Sequence, residues 1–270
     1  MKNWMRRWLT EPKVRELDPD APEYTLAHRD VLRNKPVLRR LFEGFYRECR
    51  RMDERYFGES PGKRLEIGSG SSFFKEVFTD VLTSDIKPLP FVDYLARAET
   101  LPFEDNSLRA IYAINVFHHL PKPRLFFKEL ERVLRPGGGV VMIEPYYGPI
   151  ARFLFKRLHA SEGYEMNVSA WETEANVGAM SNANQAMSYV VFVKDRKIFE
   201  REFPGLEILI DRPHTHLLYL LSGGVNFRQL VPDAFGPIVV AIERLLTPLN
   251  PLIAIQHTIV LRKKSDSNQM

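Results

Sequence analysis

The chain holds a single cysteine, Cys49, in 270 residues, so no disulfide closes within it and no cysteine-based zinc or redox motif exists. A reducing, cytoplasmic setting is the natural expectation. It also lacks any run of eighteen apolar residues, and the arginines of Met1 to Thr10 (MKNWMRRWLT) lie inside a short amphipathic stretch instead of ahead of an apolar core. A spanning helix and a secretory signal are therefore not expected, and a soluble or peripheral protein is. Internal repeats and long low-complexity tracts are missing as well; only a polar tail from Lys263 to Met270 stands out. No nucleic-acid module is recognisable and the basic residues are not interleaved with a stacking platform, which argues against a nucleic-acid partner.

What is present suits one globular enzyme: 44% hydrophobic and 27% charged residues, enough to bury a sizeable core beneath an elaborated lid. The formal charge of +4 is uneven, because residues 1–64 carry sixteen Lys and Arg against eleven Asp and Glu, a net of +5, and the remainder carries −1. Within the basic part, Val31 to Tyr56 reads as one amphipathic helix, with Leu38, Leu41, Phe42, Phe45 and Tyr46 inward and Arg39, Arg40, Arg47, Arg50 and Arg51 outward. A solvated helix face covering a sheet explains this pattern. Trp4 and Trp8 beside Arg6 and Arg7 leave a second explanation open, an anionic membrane surface or a phosphorylated substrate.

The most informative stretch is Arg64 to Ser72, RLEIGSGSS: a short apolar run closes on Glu66 and breaks into a Gly-x-Gly turn, with Phe73 to Leu82 reading as a helix behind it. Such a turn brings backbone N–H groups together and lets the backbone approach a nucleoside or phosphate, although it is a weak signal alone. The context strengthens it. Val81 to Asp85 closes on an acid about twenty residues after the turn, where a carboxylate can accept ribose hydroxyls. AETLPFEDNS (Ala98 to Ser107) precedes the strand Ala110 to Val116, which runs into Phe117, His118, His119 and Leu120. Leu125 to Leu134 has helical spacing, Arg135 to Gly139 (RPGGG) reads as a stop, and Val140 to Ile143 is a buried strand ending at Glu144.

These ordered segments resemble the class I S-adenosylmethionine-dependent methyltransferases, specifically the small-molecule branch called methyltransferase type 11, over roughly Lys63 to Pro145. The resemblance implies an α/β fold: a Rossmann-like, doubly wound, mostly parallel seven-stranded sheet with an N-terminal helical cap and C-terminal lid insertions. In domain terms, the cap covers 1–62, the cofactor-binding half 63–145, the substrate lid and last strands 146–262, and a disordered tail 263–270. It implies S-adenosyl-L-methionine as cofactor. Glu66 then steadies the turn or meets the methionine amino group, Gly68 and Gly70 let the backbone pass under the cofactor with Ser69, Ser71 and Ser72 completing the turn, and Asp85 with Ile86 borders the ribose. Ala98 and Glu99 border the adenine, while Asn115 and His118 sit near the methionine part or the methyl group.

Two departures matter. Ser72 replaces the family's third glycine, a mild change. Arg97 falls where relatives carry an aspartate that accepts the adenine amino hydrogens, a donor-only group in place of an acceptor. Either Glu99 supplies the acceptor, or Arg97 swings outward, or the chain is a methyltransferase-like binding protein with weakened cofactor use. An NAD-dependent oxidoreductase shares the turn and acid, but the RPGGG segment and the missing glycine speak against it.

Beyond Glu144 the residues are read from physics. Pro145 to Arg157 becomes a helix that closes over the strand ends, and Tyr146, Tyr147, His159 and Tyr164 are candidates for a substrate pocket or for lid core. Gly178 to Ser188, with Asn182, Asn184 and Gln185, suits contact with a hydroxylated substrate, and Tyr189 to Val193 (YVVFV) is strand-like. Phe203 to Ile210 and Ile253 to Leu261 are the last two strands, antiparallel if the family architecture holds; the inserts Asp211 to Val225 and Pro237 to Leu246 are apolar enough to form a greasy wall. His214 and His216 share one face of a strand, but without a third ligand no metal site is expected.

The expected reaction is methyl transfer, most simply to oxygen, on a small or lipid-like intermediate, with nitrogen and carbon acceptors open. A hydroxyl acceptor must lose a proton, for which imidazole near neutral pH is suited. His118 and His119 are the candidate catalytic residues; since strand neighbours face opposite sides, His118 is expected toward the site and His119 away from it, or the reverse if the strand end bends.

Overall fold

A computed structural model describes residues 7–58, 61–158, 163–173, 183–214 and 217–265. Two helices lead in, α1 (Pro22–Asn34) and α2 (Pro36–Tyr56), followed by β1 (Lys63–Ile67), the short α3 (Phe74–Val77), β2 (Val81–Asp85), β3 (Tyr94–Leu95) and β4 (Leu108–Ile114). Next come a 3-10 turn (Phe117–His119), α4 (Pro123–Val133), β5 (Leu134–Pro145) and α5 (Pro149–Leu158). The chain then runs through helical turns at Met187–Lys194 into α6 (Arg196–Glu202), β6 (Leu206–His214), α7 (Leu217–Ser222), α8 (Gly236–Leu246), α9 (Asn250–Ile253) and β7 (Gln256–Lys263).

The seven strands form one sheet in the order β3-β2-β1-β4-β5-β7-β6; β1 to β5 pair in parallel and β7 runs antiparallel to both β5 and β6. The strand order reverses between β1 and β4, and a crevice opens at the carboxyl ends of strands at such a switch point. Both sheet faces are covered. Phe117, Phe126, Phe127, Phe192 and Phe199 pack on one, and Leu38, Phe45, Tyr46, Phe74 and Tyr112 on the other. α2 is also held by a fully buried carboxylate: Asp53 accepts from Arg64 Nε, Arg109 Nε and Tyr112 Oη, each at 2.7 Å. No helix of the described residues is long and apolar enough to cross a membrane.

Four local expectations are revised by the structure. The long N-terminal helix is two helices, because Lys35 precedes a proline and takes an extended backbone (φ −92°, ψ 104°). The helix expected over Phe73 to Leu82 stops at Val77, since Val81 and Leu82 pair with Arg64 and Leu65 in β1–β2. Residues 189–193, rich in β-branched side chains, are helical with a π turn in which Asp195 N–H meets Val190 O at 2.8 Å. The sheet's edges are already taken by β3 and β6, and burying Val190, Val191 and Phe192 against the core outweighs strand propensity. The RPGGG segment is not a separate stop either: β5 begins at Leu134, and its pairing with β4 shifts between Leu108 and Ala110.

Candidate active site

A cavity of about 390 Å³ opens at the carboxyl ends of β1, β2 and β4. Its floor is the glycine turn. Gly68 has φ +60°, and a Cβ there would stand 2.6 Å from Val116, so only glycine fits. At Gly70 a Cβ would stand 3.1 Å from Thr25 and 3.2 Å from the Asp85 carboxylate. Gly70 N–H donates to Asp85 Oδ2 at 2.8 Å, and Lys87 N–H donates to Oδ1 at 2.8 Å, so Asp85 is fixed by backbone donors while lining the cavity. Each carboxylate oxygen has a second lone pair to offer.

Gly68, Gly70, Ser71, Asp85, Ile86, Ala98, Glu99, Asn115, His118 and His119 all line this space. Glu66, Ser69 and Ser72 do not stand on its wall. Ser72 Oγ meets Tyr46 Oη at 3.0 Å and accepts from Phe74 N–H at 3.1 Å, which fastens the turn to α2; Ser69 N–H donates to Ser84 O at 2.9 Å. Glu66 is buried behind the turn. Burial pushes its carboxyl up to about 8; hydrogen bonds from Ser72 and Ser69 and the charge of Arg29 offset only part of that.

Arg97 also lines the cavity, with its side chain 58% exposed and its Nε 3.6 Å from Glu99 Oε2. Glu99 in turn is buried on the cavity wall, and its Oε1 has no hydrogen-bond partner. A buried carboxylate oxygen left without a donor is costly unless a ligand supplies one. An acceptor oxygen without a donor thus stands two residues from Arg97.

At the other end of the cavity the chain turns at Asn115 (φ +55°) into the 3-10 segment Phe117–His119. Glu144, the last acid of β5, is fully buried beneath it: Oε1 accepts from Val116 N–H and Phe117 N–H at 2.8 Å, and Oε2 meets His118 Nδ1 at 2.7 Å. Burial would raise the Glu144 carboxyl, but His118 and these backbone donors outweigh it and hold it low. The expectation that His119 faces away is corrected. Residues 117–119 form a tight turn, not a strand, and both rings reach the cavity with centroids 4.2 Å apart.

The aromatic candidates for pocket or lid core stand away from the cavity. Tyr146 packs on Tyr189 and His257, Tyr147 is core, and Tyr164 lies under Lys156; none of the three lines the cavity, and His159 falls outside the described residues. Of the amide cluster, Gln185 lines the cavity, whereas Asn184 is spent on Glu165 O, on Ala186 N–H and, through its own N–H, on His118 O. Asn182, His216, Trp4 and Arg6 lie outside the described residues. His214 meets Thr258 Oγ1 at 2.9 Å, and no group of three or more metal-ligating side chains occurs among the described residues.

Sequence reasoning missed five contributors. Glu144 carried a signal, since VVMIEP closes on an acid as RLEI does. Gln256 carried none: its Nε2 donates to Asn115 Oδ1 at 3.2 Å and its buried Oε1, on a cavity-lining residue, has no partner. Tyr24 and His28 of α1 both meet Asn226 Oδ1, at 2.9 and 2.8 Å, and these three side chains close the cavity from above.

The family described as a methyltransferase domain matches residues 65–142, which hold the turn, Asp85, Glu99 and both histidines. A demethylmenaquinone methyltransferase of Renibacterium salmoninarum is 29% identical over 150 residues, 49% of this chain and 59% of that one. A probable phthiotriol/phenolphthiotriol dimycocerosates methyltransferase of Mycobacterium ulcerans is 43% identical over 51 residues, 18% of this chain and 20% of that one. The matched stretch thus spans less than two thirds of these curated relatives. Among solved structures, geranyl diphosphate C-methyltransferase from Streptomyces coelicolor is 14% identical with a TM-score of 0.47, covering 95% of this chain and 89% of that one.

Proposed function

We propose that this chain, which carries a class I S-adenosylmethionine-dependent methyltransferase domain over residues 65–142, methylates an oxygen of a small or lipid-like biosynthetic intermediate. The observation that carries the reading is the unpartnered Glu99 oxygen on the wall of a cavity floored by the Gly68–Gly70 turn and Asp85. In this reading Asp85 accepts the ribose hydroxyls, Glu99 accepts the adenine amino hydrogens, and Asn115 with Gln256 borders the methionine part. Glu66 stays behind the turn as its support. When bound, S-adenosylmethionine supplies an electrophilic sulfonium methyl.

The protein's own work is to orient the acceptor, exclude water and take a proton. α1 and Asn226 close the space above the turn, which favours proximity over hydrolytic loss. In this reading His118 carries its proton on Nδ1, 2.7 Å from the Glu144 carboxylate, and its Nε2 receives the acceptor's hydroxyl proton. Glu144 is a positioning residue. Phe155, Tyr219, Val225 and Ile255 supply an apolar wall suited to a lipid-like acceptor, and two relatives bear the names of demethylmenaquinone and phthiotriol dimycocerosate methyltransferases.

Calorimetric titration with S-adenosylhomocysteine tests the cofactor reading, and no heat at millimolar ligand would sink it. Incubation with methyl-labelled cofactor and cell lipids, followed by mass spectrometry, tests the acceptor; label on carbon or nitrogen alone would move the reaction away from oxygen. His118→Gln should lose turnover while still binding S-adenosylhomocysteine. If His118→Gln and His119→Gln both keep full turnover, neither ring is the base.

A further inference from the structure

The segment 236–253 is apolar almost throughout, yet α8 buries only Gly236 and Val239. α8, the 3-10 turn Thr247–Leu249 and α9 keep right-handed helical backbone at their junctions, so they make one helical run. Ile238, Ile242, Leu245, Leu249 and Leu252 recur along it at spacings of four and three residues and are 55, 43, 80, 47 and 56% exposed. That spacing puts them on one face. Its only acid, Glu243, is turned inward onto Leu218 N–H at 2.8 Å, and its only base, Arg244, is exposed. α9 packs against α5, whose outer side adds exposed Ile150 and Phe153.

Charge decides what covers this face. α5 (PIARFLFKRL) has three exposed bases, Arg152, Lys156 and Arg157, and no acid. Arg152 donates to Tyr147 O, Arg157 to Phe153 O, and Lys156 lies over the Tyr164 ring; no carboxylate of the described residues forms an ion pair with these three or with Arg244. In a two-fold dimer the same patch meets itself, so a basic surface would meet an equally basic one. An apolar ridge flanked by bases that no described carboxylate pairs with instead matches an anionic bilayer, whose headgroups take the charges while the ridge enters the acyl boundary.

The basic side of α2 offers the contrast. Arg39 and Arg47 share Glu43, Arg50 meets Glu54 and Asp80, and Arg51 meets Glu48, so four of its six arginines are paired with carboxylates.

We propose that the α8–α9 ridge and the basic side of α5 dock this protein on the surface of an anionic lipid bilayer. The proposal stands on this surface and does not depend on the cofactor reading. α5 joins the surface to the cavity, since Phe155 lines the cavity while Phe153 faces out.

Sedimentation of the full chain with phosphatidylcholine vesicles, with and without phosphatidylglycerol, tests it. Wild type should pellet with phosphatidylglycerol vesicles and be released by salt. Leu245→Glu, at a position too exposed to unfold the chain, should weaken partitioning by about tenfold or more, and Lys156→Glu with Arg157→Glu should abolish the preference for anionic vesicles; thermal melts verify that both variants are folded. Wild type remaining in the supernatant at low salt, or Leu245→Glu binding as wild type does, would overturn the proposal. So would analytical ultracentrifugation that finds a wild-type dimer dissolved by Leu245→Glu, which would give the face to a second copy.

Discussion

β1 and β5 each carry a buried glutamate one residue before their last, and the two carboxyls behave in opposite ways. Glu66 lies behind the glycine turn with its Oε2 unpartnered, and burial lifts it to about 8. Glu144 is as deeply buried, yet two backbone N–H groups at 2.8 Å and the His118 ring at 2.7 Å hold it low. Depth alone does not set the charge of a buried carboxyl; the donors aimed at it do. One strand end therefore carries a neutral group at pH 7 that supports a loop, and the other a charge that orients an imidazole.

Removing the charge at the second end should have the largest effect. Glu144→Gln leaves His118 without its anionic partner, and a loss of about 2–4 kcal/mol in unfolding free energy is expected by denaturant titration. Glu144's lowered carboxyl contributes stability that is full above the ordinary carboxyl range and lost as pH falls through the depressed value. That acid-side loss should shrink in the variant.

Glu66 has the reverse sign. Its raised carboxyl keeps a proton in the fold that the unfolded chain releases, so its contribution declines as pH rises from about 4.5 towards about 8. Glu66→Gln should flatten that decline and be more stable than wild type at pH 8.5, by up to about 4 kcal/mol. Thermal melts across that window measure it. Equal slopes in both proteins would show that the two glutamates do not differ as described.

Between these ends lies the cavity, and smaller effects sharpen its map. Asp85→Asn keeps size but loses the anion that holds Gly70 N–H, and S-adenosylhomocysteine affinity should fall about tenfold. Arg97→Ala removes a cavity-lining but 58% exposed partner of Glu99, and affinity should change by less than about threefold. A large loss in Arg97→Ala would assign the adenine contact to the guanidinium instead of Glu99.

Much of the core was legible because local chemistry enforces it. A glycine with φ +60° pressed against Val116 leaves a mark in sequence, as does an acid closing a buried apolar run. His119 misled because alternation holds only while the chain stays a strand, and the turn at 117–119 cannot be inferred from the letters FHH. The amides misled for a different reason: Asn184 looks like a ligand group until Glu165, Ala186 and His118 are found around it. Tyr24, His28 and Asn226 meet across about two hundred residues, and no spacing rule reaches that far.

The sequence by itself determined the strand, turn and helix succession from Lys63 to Pro145 and the identity of Asp85 as the acid beside the turn. It did so because periodicity, glycine conformation and strand-end acids act within a few residues. Only the tertiary structure decided which glutamate is charged, that both histidines face the cavity, and that the apolar helices at 236–253 remain uncovered. Each of these depends on donors, rings and neighbours brought together by distant parts of the chain.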